Sequence, residues 1–400
     1  MLIRELYLKR LRPLYQSELI KVITGLRRCG KSVLLQQIQA ELRHQGVPRS
    51  HLLYYNFEDF THSHYLTNPH QFHTDVKNHF RDDQLYYLFL DEIQQLQDFE
   101  RVINSLRATC HVSIFITGSN SQLLSGELAT LLSGRYLTLQ MYPFTFQEFI
   151  TCRDFSPPDY RSAFEQYLTW GGLPFITYSH HPSEKSSYIN DLYHSIILKD
   201  VIARSGLKNT LLLDRIIQYL LINLGHEFSA RSIARFLKNE LSDDTSVDTI
   251  INYLTALDYA LFTHKISRFD VKGKSVMKTL DKHFLSDLAF MRLSKSRQES
   301  YRPGRLENIV CNQLLAQGHQ VYTGKTKTGE IDFVAYDQDH QPSYYQVATT
   351  LIEPQTEKRE FAAFSDINDN YPKIVLSEDT FDYSRQGIQH YNIIDWLLSR

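Results

Sequence analysis

Residues 25–32 read Gly25-Leu26-Arg27-Arg28-Cys29-Gly30-Lys31-Ser32, the pattern G-x-x-x-x-G-K-[ST]. They stand between a β-branched run, Lys21-Val22-Ile23-Thr24, and a helix-forming one, Val33-Leu34-Leu35-Gln36-Gln37. A strand, a glycine loop and a helix in that order leave few choices. The glycines let the backbone come close to a ligand, while successive N–H groups and the helix N-terminus present partial positive charge to it; both favour phosphate. The pattern predicts that residues 25–33, from Gly25 to Val33, bind ATP, with Lys31 neutralising the β and γ phosphates and the Ser32 hydroxyl ligating Mg2+. Arg27 and Arg28 suit either a phosphate clamp or a contact to a neighbouring chain, and spacing does not separate the two.

Hydrolysis needs a second element, an apolar strand that ends in acids. Tyr87-Leu88-Phe89-Leu90-Asp91-Glu92 supplies it. Asp91 is the expected magnesium carboxylate, directly or through water, and Glu92 the group that orients and activates the attacking water. A further strand ends at Thr117-Gly118-Ser119-Asn120, where Ser119 or Asn120 is placed to touch the γ-phosphate and the water; an ordinary turn explains the same residues equally well. Asn56, in Asn56-Phe57-Glu58-Asp59, fits a sensing role less well than an Asx turn. Gly134-Arg135 precedes the last strand-like run, and Arg135 is the candidate arginine finger, which requires a neighbouring subunit.

The alternation of strand-like and helix-like runs over residues 1–150 predicts an α/β fold with a mostly parallel sheet. Strands are expected at Leu19 to Thr24, His51 to Phe57, Tyr86 to Asp91, Val112 to Thr117 and Tyr136 to Met141. Residues 151–208 read as a helical lid broken at Trp170-Gly171-Gly172-Leu173-Pro174. Residues 209–290 read as helices followed by a hairpin, Ala260 to Phe269 and Ser275 to Leu285 around Asp270 to Lys274, which suggests a winged helix. Residues 291–400 read as another α/β domain, in the order helix, three strands, helix, strand, helix. With 400 residues, 42% of them hydrophobic and 22% charged, the chain can bury several cores. Its net charge of -2 gives no overall attraction to nucleic acid, so any such contact must be local. The four cysteines lie far apart, and neither a signal peptide nor a membrane span is expected, which fits a cytoplasmic protein.

A local basic excess does occur in the hairpin, where Lys265, Arg268, Lys272 and Lys274, with Lys278 and Lys282, suit DNA phosphates. The preceding helix begins Asp243-Asp244-Thr245-Ser246-Val247-Asp248, acidic where base contacts would be made, so direct sequence readout is not expected. The histidines at 62, 64, 70, 73 and 79 lack ligand spacing and read as a polar connector.

Together these segments, with Pro-Phe-Thr-Phe-Gln-Glu-Phe at 143–149, Ser133-Gly134-Arg135 and Leu-Lys-Asp-Val at 198–201, resemble a family of bacterial and archaeal AAA+-type ATPases. These couple an N-terminal P-loop domain to a C-terminal domain of uncharacterised function. The resemblance covers nearly the whole chain. It implies an oligomer, such as a hexameric ring, with Arg135 acting between subunits, and it favours the winged helix. It extends to the restriction-endonuclease-like fold, whose metal site consists of a helical Glu, a strand Asp and a Glu-x-Lys on the next strand. Glu307 and Asp332 match the first two. Gln346 and Ala348 stand where the carboxylate and lysine belong, so the domain is expected to bind rather than cut. The resulting expectation is an ATPase that couples turnover to DNA binding or remodelling. The alternatives are a nucleotide-dependent switch acting on a protein partner and, more weakly, a metal-dependent nuclease.

Overall fold

The computed structural model describes residues 2–120, 134–202, 207, 209–241, 244–277, 281–295, 301–327 and 329–399. It divides into two units: Met1–Met141 with Tyr259–Leu261, and Tyr142–Asp258 with Phe262–Arg400.

In the first unit five parallel strands, β1 (Ile20–Gly25), β2 (Leu52–Asn56), β3 (Tyr86–Asp91), β4 (Val112–Gly118) and β5 (Tyr136–Met141), lie in the order β2-β3-β4-β1-β5. Each lies within about one residue of the run expected from sequence. The helices are α1 (Glu5–Leu11), α2 (Lys31–His44), α3 (Pro69–His79) and α4 (Phe99–Thr109). Every residue of β1, β3 and β4 is buried, as a parallel sheet with both faces covered requires. Even Lys21 is enclosed, its Nζ donating to Ser17 O at 3.0 Å and Ser113 Oγ at 2.6 Å. Helix α4 buries Phe99, Val102, Ile103 and Leu106, one stripe at helical spacing, in the core that includes Leu88, Leu90 and Ile114.

The second unit begins with helices α5 (Phe146–Cys152), α6 (Tyr160–Trp170), α7 (Pro174–Tyr178) and α8 (Pro182–Ser195), the last continued as a π-helical stretch over Ile196–Ile202. A capping box of Thr145 and Glu148 starts α5. After α6 the chain turns at Gly171, whose φ is 70°, and Asp287 accepts the Gly172 N–H at 2.8 Å and the Ala289 N–H at 2.8 Å. Helices α9 (Thr210–Ile222), α10 (Ala230–Leu241) and α11 (Val247–Tyr259) follow.

The hairpin expected of a wing is present but divided. Strand β6 (Thr263–Ile266) pairs antiparallel with β9 (Lys282–Leu285) as a separate two-stranded sheet. The outer pair, β7 (Arg268–Asp270) and β8 (Ser275–Val276), instead joins the C-terminal sheet, because β7 also bonds in parallel to β10 (Gln320–Lys325). Strand β7 is therefore covered on both sides, and β8 forms the outer edge of that sheet. Lys278 lies outside the described residues, as do Ser133 and Asp243.

The C-terminal part runs α12 (Arg302–Ala316), β10, β11 (Glu330–Tyr336), β12 (Pro342–Val347), α13 (Pro354–Ala362), β13 (Lys373–Ser377), β14 (Ile388–Asn392) and α14 (Ile393–Leu398). The sheet order is β14-β13-β12-β11-β10-β7-β8, antiparallel from β10 to β12 and parallel from β12 to β14. Strand β14 was not expected. It is an edge strand with only His390 buried, so its Ile-Gln-His-Tyr-Asn carries no apolar alternation to announce it. No described helix is long and apolar enough to cross a membrane.

Candidate nucleotide site

The loop at the end of β1 is shaped by contacts that tolerate no larger residue at its first glycine. A Cβ on Gly25 would lie 2.5 Å from the Met141 carbonyl oxygen and 2.8 Å from Cys29 Sγ. Gly30, with φ 108°, turns the chain into α2, and no side chain caps that helix. Its first-turn amides are therefore oriented for an external anion, which is the fit a triphosphate requires. Burial raises the Cys29 thiol above its ordinary range and so keeps it an inert packing group.

Lys31 is almost fully buried. Its ammonium donates to Gly25 O at 3.1 Å and Leu26 O at 3.4 Å and lies 3.5 Å from Glu92 Oε1. The two arginines that spacing left unresolved part ways here. Arg27 turns onto Glu58 within the domain, Nη1 to Oε1 3.0 Å, while Arg28, at φ 69°, is exposed.

Strand order brings the remaining groups together. Because β4 lies between β1 and β3, its end falls between Lys31 and the two acids. Asp91, fully buried, accepts from Thr117 Oγ1 at 2.5 Å and from Tyr54 Oη at 2.9 Å. Thr117 Oγ1 in turn accepts the Glu92 N–H at 2.9 Å. Glu92 follows β3 in the left-handed region, φ 52°, which turns its side chain away from that of Asp91 and toward Lys31. Burial pushes the Glu92 carboxyl up, but the Lys31 ammonium, the Gln94 amide and Arg27 outweigh it, and the net position is below the ordinary carboxylate range. Held low, the carboxylate is ionised and free to accept a proton, and it is a weaker base than a carboxylate in water. Ser119 and Asn120 are both buried at the end of β4. Asn56 makes the Asx turn, its Oδ1 accepting the Glu58 N–H at 2.9 Å. Ser32 and Asp91 carry oxygen donors of the kind Mg2+ prefers and would be the residues to hold it, and the ion would supply charge neutralisation at the phosphates.

Three positioning groups carried no signal in the sequence. Thr117 and Tyr54 reach Asp91 from neighbouring strands, a fact of lateral register. Arg4, ahead of the motif by some twenty residues, is buried and donates from Nη1 to Cys29 O at 3.1 Å, bracing the loop. Replacing Thr117 with Val strips a donor from Asp91 and leaves the buried Glu92 N–H without its acceptor. The expected cost is about 1–3 kcal/mol of stability and roughly tenfold or more in ATP turnover. Denaturant unfolding and steady-state turnover check this, and a variant equal to wild type in both removes Thr117 from the role.

Arg135 does not reach this site in its own chain. It precedes β5 and its carbonyl accepts the Ile20 N–H at 3.0 Å, at the opening end of β1, whereas the phosphate loop leaves the closing end at Gly25. A strand of that length separates them by about 17 Å. The side chain is exposed, with a 3.5 Å contact from Nη1 to Asn104 Oδ1.

The basic hairpin needs correction. Lys265 is paired with Asp281 at 2.9 Å, and Arg268 is buried against Glu227 at 3.2 Å. Lys282 is buried too, so only Lys272 and Lys274 among the described hairpin cations stand exposed and unpaired by an ion pair. In the C-terminal sheet Glu307, Asp332 and Gln346 do converge: Gln346 Oε1 accepts the Asp332 N–H at 2.7 Å, and Asp332 Oδ2 accepts the Val347 N–H at 2.8 Å. Lys282 is the residue sequence reasoning misplaced, since it faces these carboxylates and not solvent. Burial lowers its ammonium, but Glu307, Asp332 and Glu330 outweigh that and hold it charged. The histidines engage separate partners, His62 the Asn56 carbonyl and His73 the Ser105 hydroxyl.

Residues 17–150 match the AAA domain family, and the five-stranded order places the first unit among P-loop ATPase folds. The chain as a whole belongs to the family of an uncharacterized protein of Haemophilus influenzae, 35% identical over all of this chain and 99% of that one. An uncharacterized protein of Methanocaldococcus jannaschii is 28% identical over 94% of this chain and 85% of its own. Residues 161–299 match a domain family of unknown function. Among solved structures, a Walker-type ATPase of Pyrococcus abyssi shares the fold at a TM-score of 0.51 and 12% identity, covering 73% of this chain and 96% of that one.

Proposed function

We propose that this chain is an ATP phosphohydrolase whose site is completed by a second copy. The carrying observation is the convergence of Lys31, Asp91 and Glu92, with Glu92 Oε1 3.5 Å from Lys31 Nζ and Asp91 held from two sides. In this reading Glu92 takes a proton from water as its oxygen bonds to the γ-phosphorus, the bond to the β–γ bridging oxygen breaks, and ADP leaves. Lys31, which Glu92 engages in the structure, exchanges that contact for the phosphates. Asn120 or Ser119 fixes the water. Arg135, a strand's length from its own P-loop, acts on a neighbour's nucleotide in a ring. Lys31→Ala chains and Arg135→Ala chains, each inactive alone, are then expected to recover part of the turnover on mixing; no recovery at any ratio sinks the shared site.

We read the rest as a helical lid over 151–208, a winged-helix-like module over 209–290 and a restriction-endonuclease-like domain over 291–400, within a cytoplasmic protein. The α12-β10-β11-β12-α13-β13 succession supports the last assignment, and Gln346 with Ala348 supports binding without cleavage. DNA is the load suggested by exposed Lys272 and Lys274. A protein partner is favoured instead by the internal pairing of Lys265 and Arg268 and by acidic Asp244 and Asp248 flanking the start of α11. ATP turnover with and without duplex, fork or junction DNA at two salt concentrations decides between them: stimulation that fades with salt supports DNA, and indifference supports the protein partner.

A further inference from the structure

The carboxylate cluster of the C-terminal sheet already surrounds a cation, and that cation belongs to the chain. Lys282, the first residue of β9, lies with its Nζ 3.0 Å from Glu307 Oε2, 3.5 Å from Glu330 Oε1 and 3.9 Å from Asp332 Oδ1. Glu330 and Asp332 alternate on β11 and so share a face, while Glu307 comes from α12. A fourth carboxylate, Glu360 of α13, is tied to the same group by Gln346, whose Nε2 donates to Glu360 Oε2 at 2.8 Å. A cavity of about 870 Å³, lined among others by Tyr301, Glu307, Asp332, Gln346 and Glu360, opens onto the cluster.

The spacing of these oxygens suits an ammonium, whereas Mg2+ needs oxygens in near-octahedral array at roughly 2.0–2.1 Å. Among the described residues no group of three His, Cys, Asp or Glu is set for a metal as it stands. Burial and the neighbouring carboxylates push the Glu307 and Asp332 carboxyls above their ordinary range, and Lys282 is the cation that opposes this at both. Lys282 cannot simply swing out, because all four residues of β9 are buried.

We propose that Lys282 is a built-in occupant of a divalent-cation site formed by Glu307, Glu330 and Asp332, its ammonium standing where Mg2+ or Mn2+ would otherwise bind. The cluster is thus a cation site closed from within, and the cavity beside it is offered to ligands without metal chemistry. The proposal stands on these contacts and is independent of the nucleotide site.

The test uses the full chain and Mn2+, titrated by calorimetry and by the paramagnetic signal of the free ion, with wild type, Lys282→Ala, Asp332→Asn and Lys282→Ala/Asp332→Asn compared. Lys282→Ala is expected to take up one more Mn2+ per chain than wild type, at least tenfold more tightly than any uptake by the double variant. A folded Lys282→Ala with no added uptake overturns the proposal, and so does wild-type uptake that Asp332→Asn alone removes. If Lys282→Ala is too unstable to titrate, its thermal unfolding is compared in Mn2+ and in chelator. Stabilisation by Mn2+ beyond that of wild type supports the proposal, and its absence overturns it.

Discussion

Glu92→Gln is expected to bind ATP at least as tightly as wild type and to hydrolyse it about 100- to 10,000-fold more slowly. The two effects have one origin. In the structure the Glu92 carboxylate lies 3.5 Å from the Lys31 ammonium, so binding phosphate means breaking an ion pair that is almost entirely out of water. An amide of the same shape releases Lys31 to the phosphates but cannot accept a proton from water. Asp91→Asn differs, because both oxygens of Asp91 are occupied by Thr117 and Tyr54, and its loss falls on magnesium binding. Nucleotide titration and single-turnover hydrolysis separate the cases; a Glu92→Gln chain that turns over within tenfold of wild type would falsify the assignment of Glu92 as base.

The second large effect lies in the other unit. Gly171→Ala is expected to cost about 3–5 kcal/mol, on the scale of the most damaging single substitutions. At φ 70° and ψ -164° the backbone occupies a region that essentially only glycine adopts. A Cβ there would sit 1.7 Å from Asp287 Oδ1 and 2.7 Å from the Ala289 nitrogen. The carboxylate cannot retreat without abandoning the buried Gly172 and Ala289 amides, each worth about 1–3 kcal/mol when left unpaired. Chemical denaturation of the full chain measures this, and a loss under about 1 kcal/mol would show that the turn relaxes freely.

The five strands of the first unit were legible because each is a short apolar run between turn residues, and because the P-loop has few alternatives once a strand precedes it and a helix follows. Asp91 and Glu92 were legible for the same local reason. Thr117 was visible as a strand end but not as a ligand of Asp91, since nothing along the chain says that β4 inserts between β1 and β3. The hairpin was legible as strand-forming sequence, but its division into a β6–β9 pair and a β7–β8 pair was not, because the pairing of β7 with β10 joins residues some fifty positions apart. The same limit misplaced Lys282 and Arg268. A lysine in a polar run looks like a solvated charge until the elements packed against it are known.

The sequence by itself determined the nucleotide loop, its acids and the parallel α/β character of the first unit. All of these are set by residue type and short-range order, and a P-loop's backbone geometry is a local property of its glycines and the helix that follows. The tertiary structure alone decided that Lys31 is held by Glu92, that Arg135 lies at the far end of its own sheet, and that a buried ammonium closes the carboxylate cluster. Those outcomes depend on strand order and burial. Charge and desolvation act through space, so the same side chain is a solvated surface group or a buried ion-pair partner according to which distant segment folds against it.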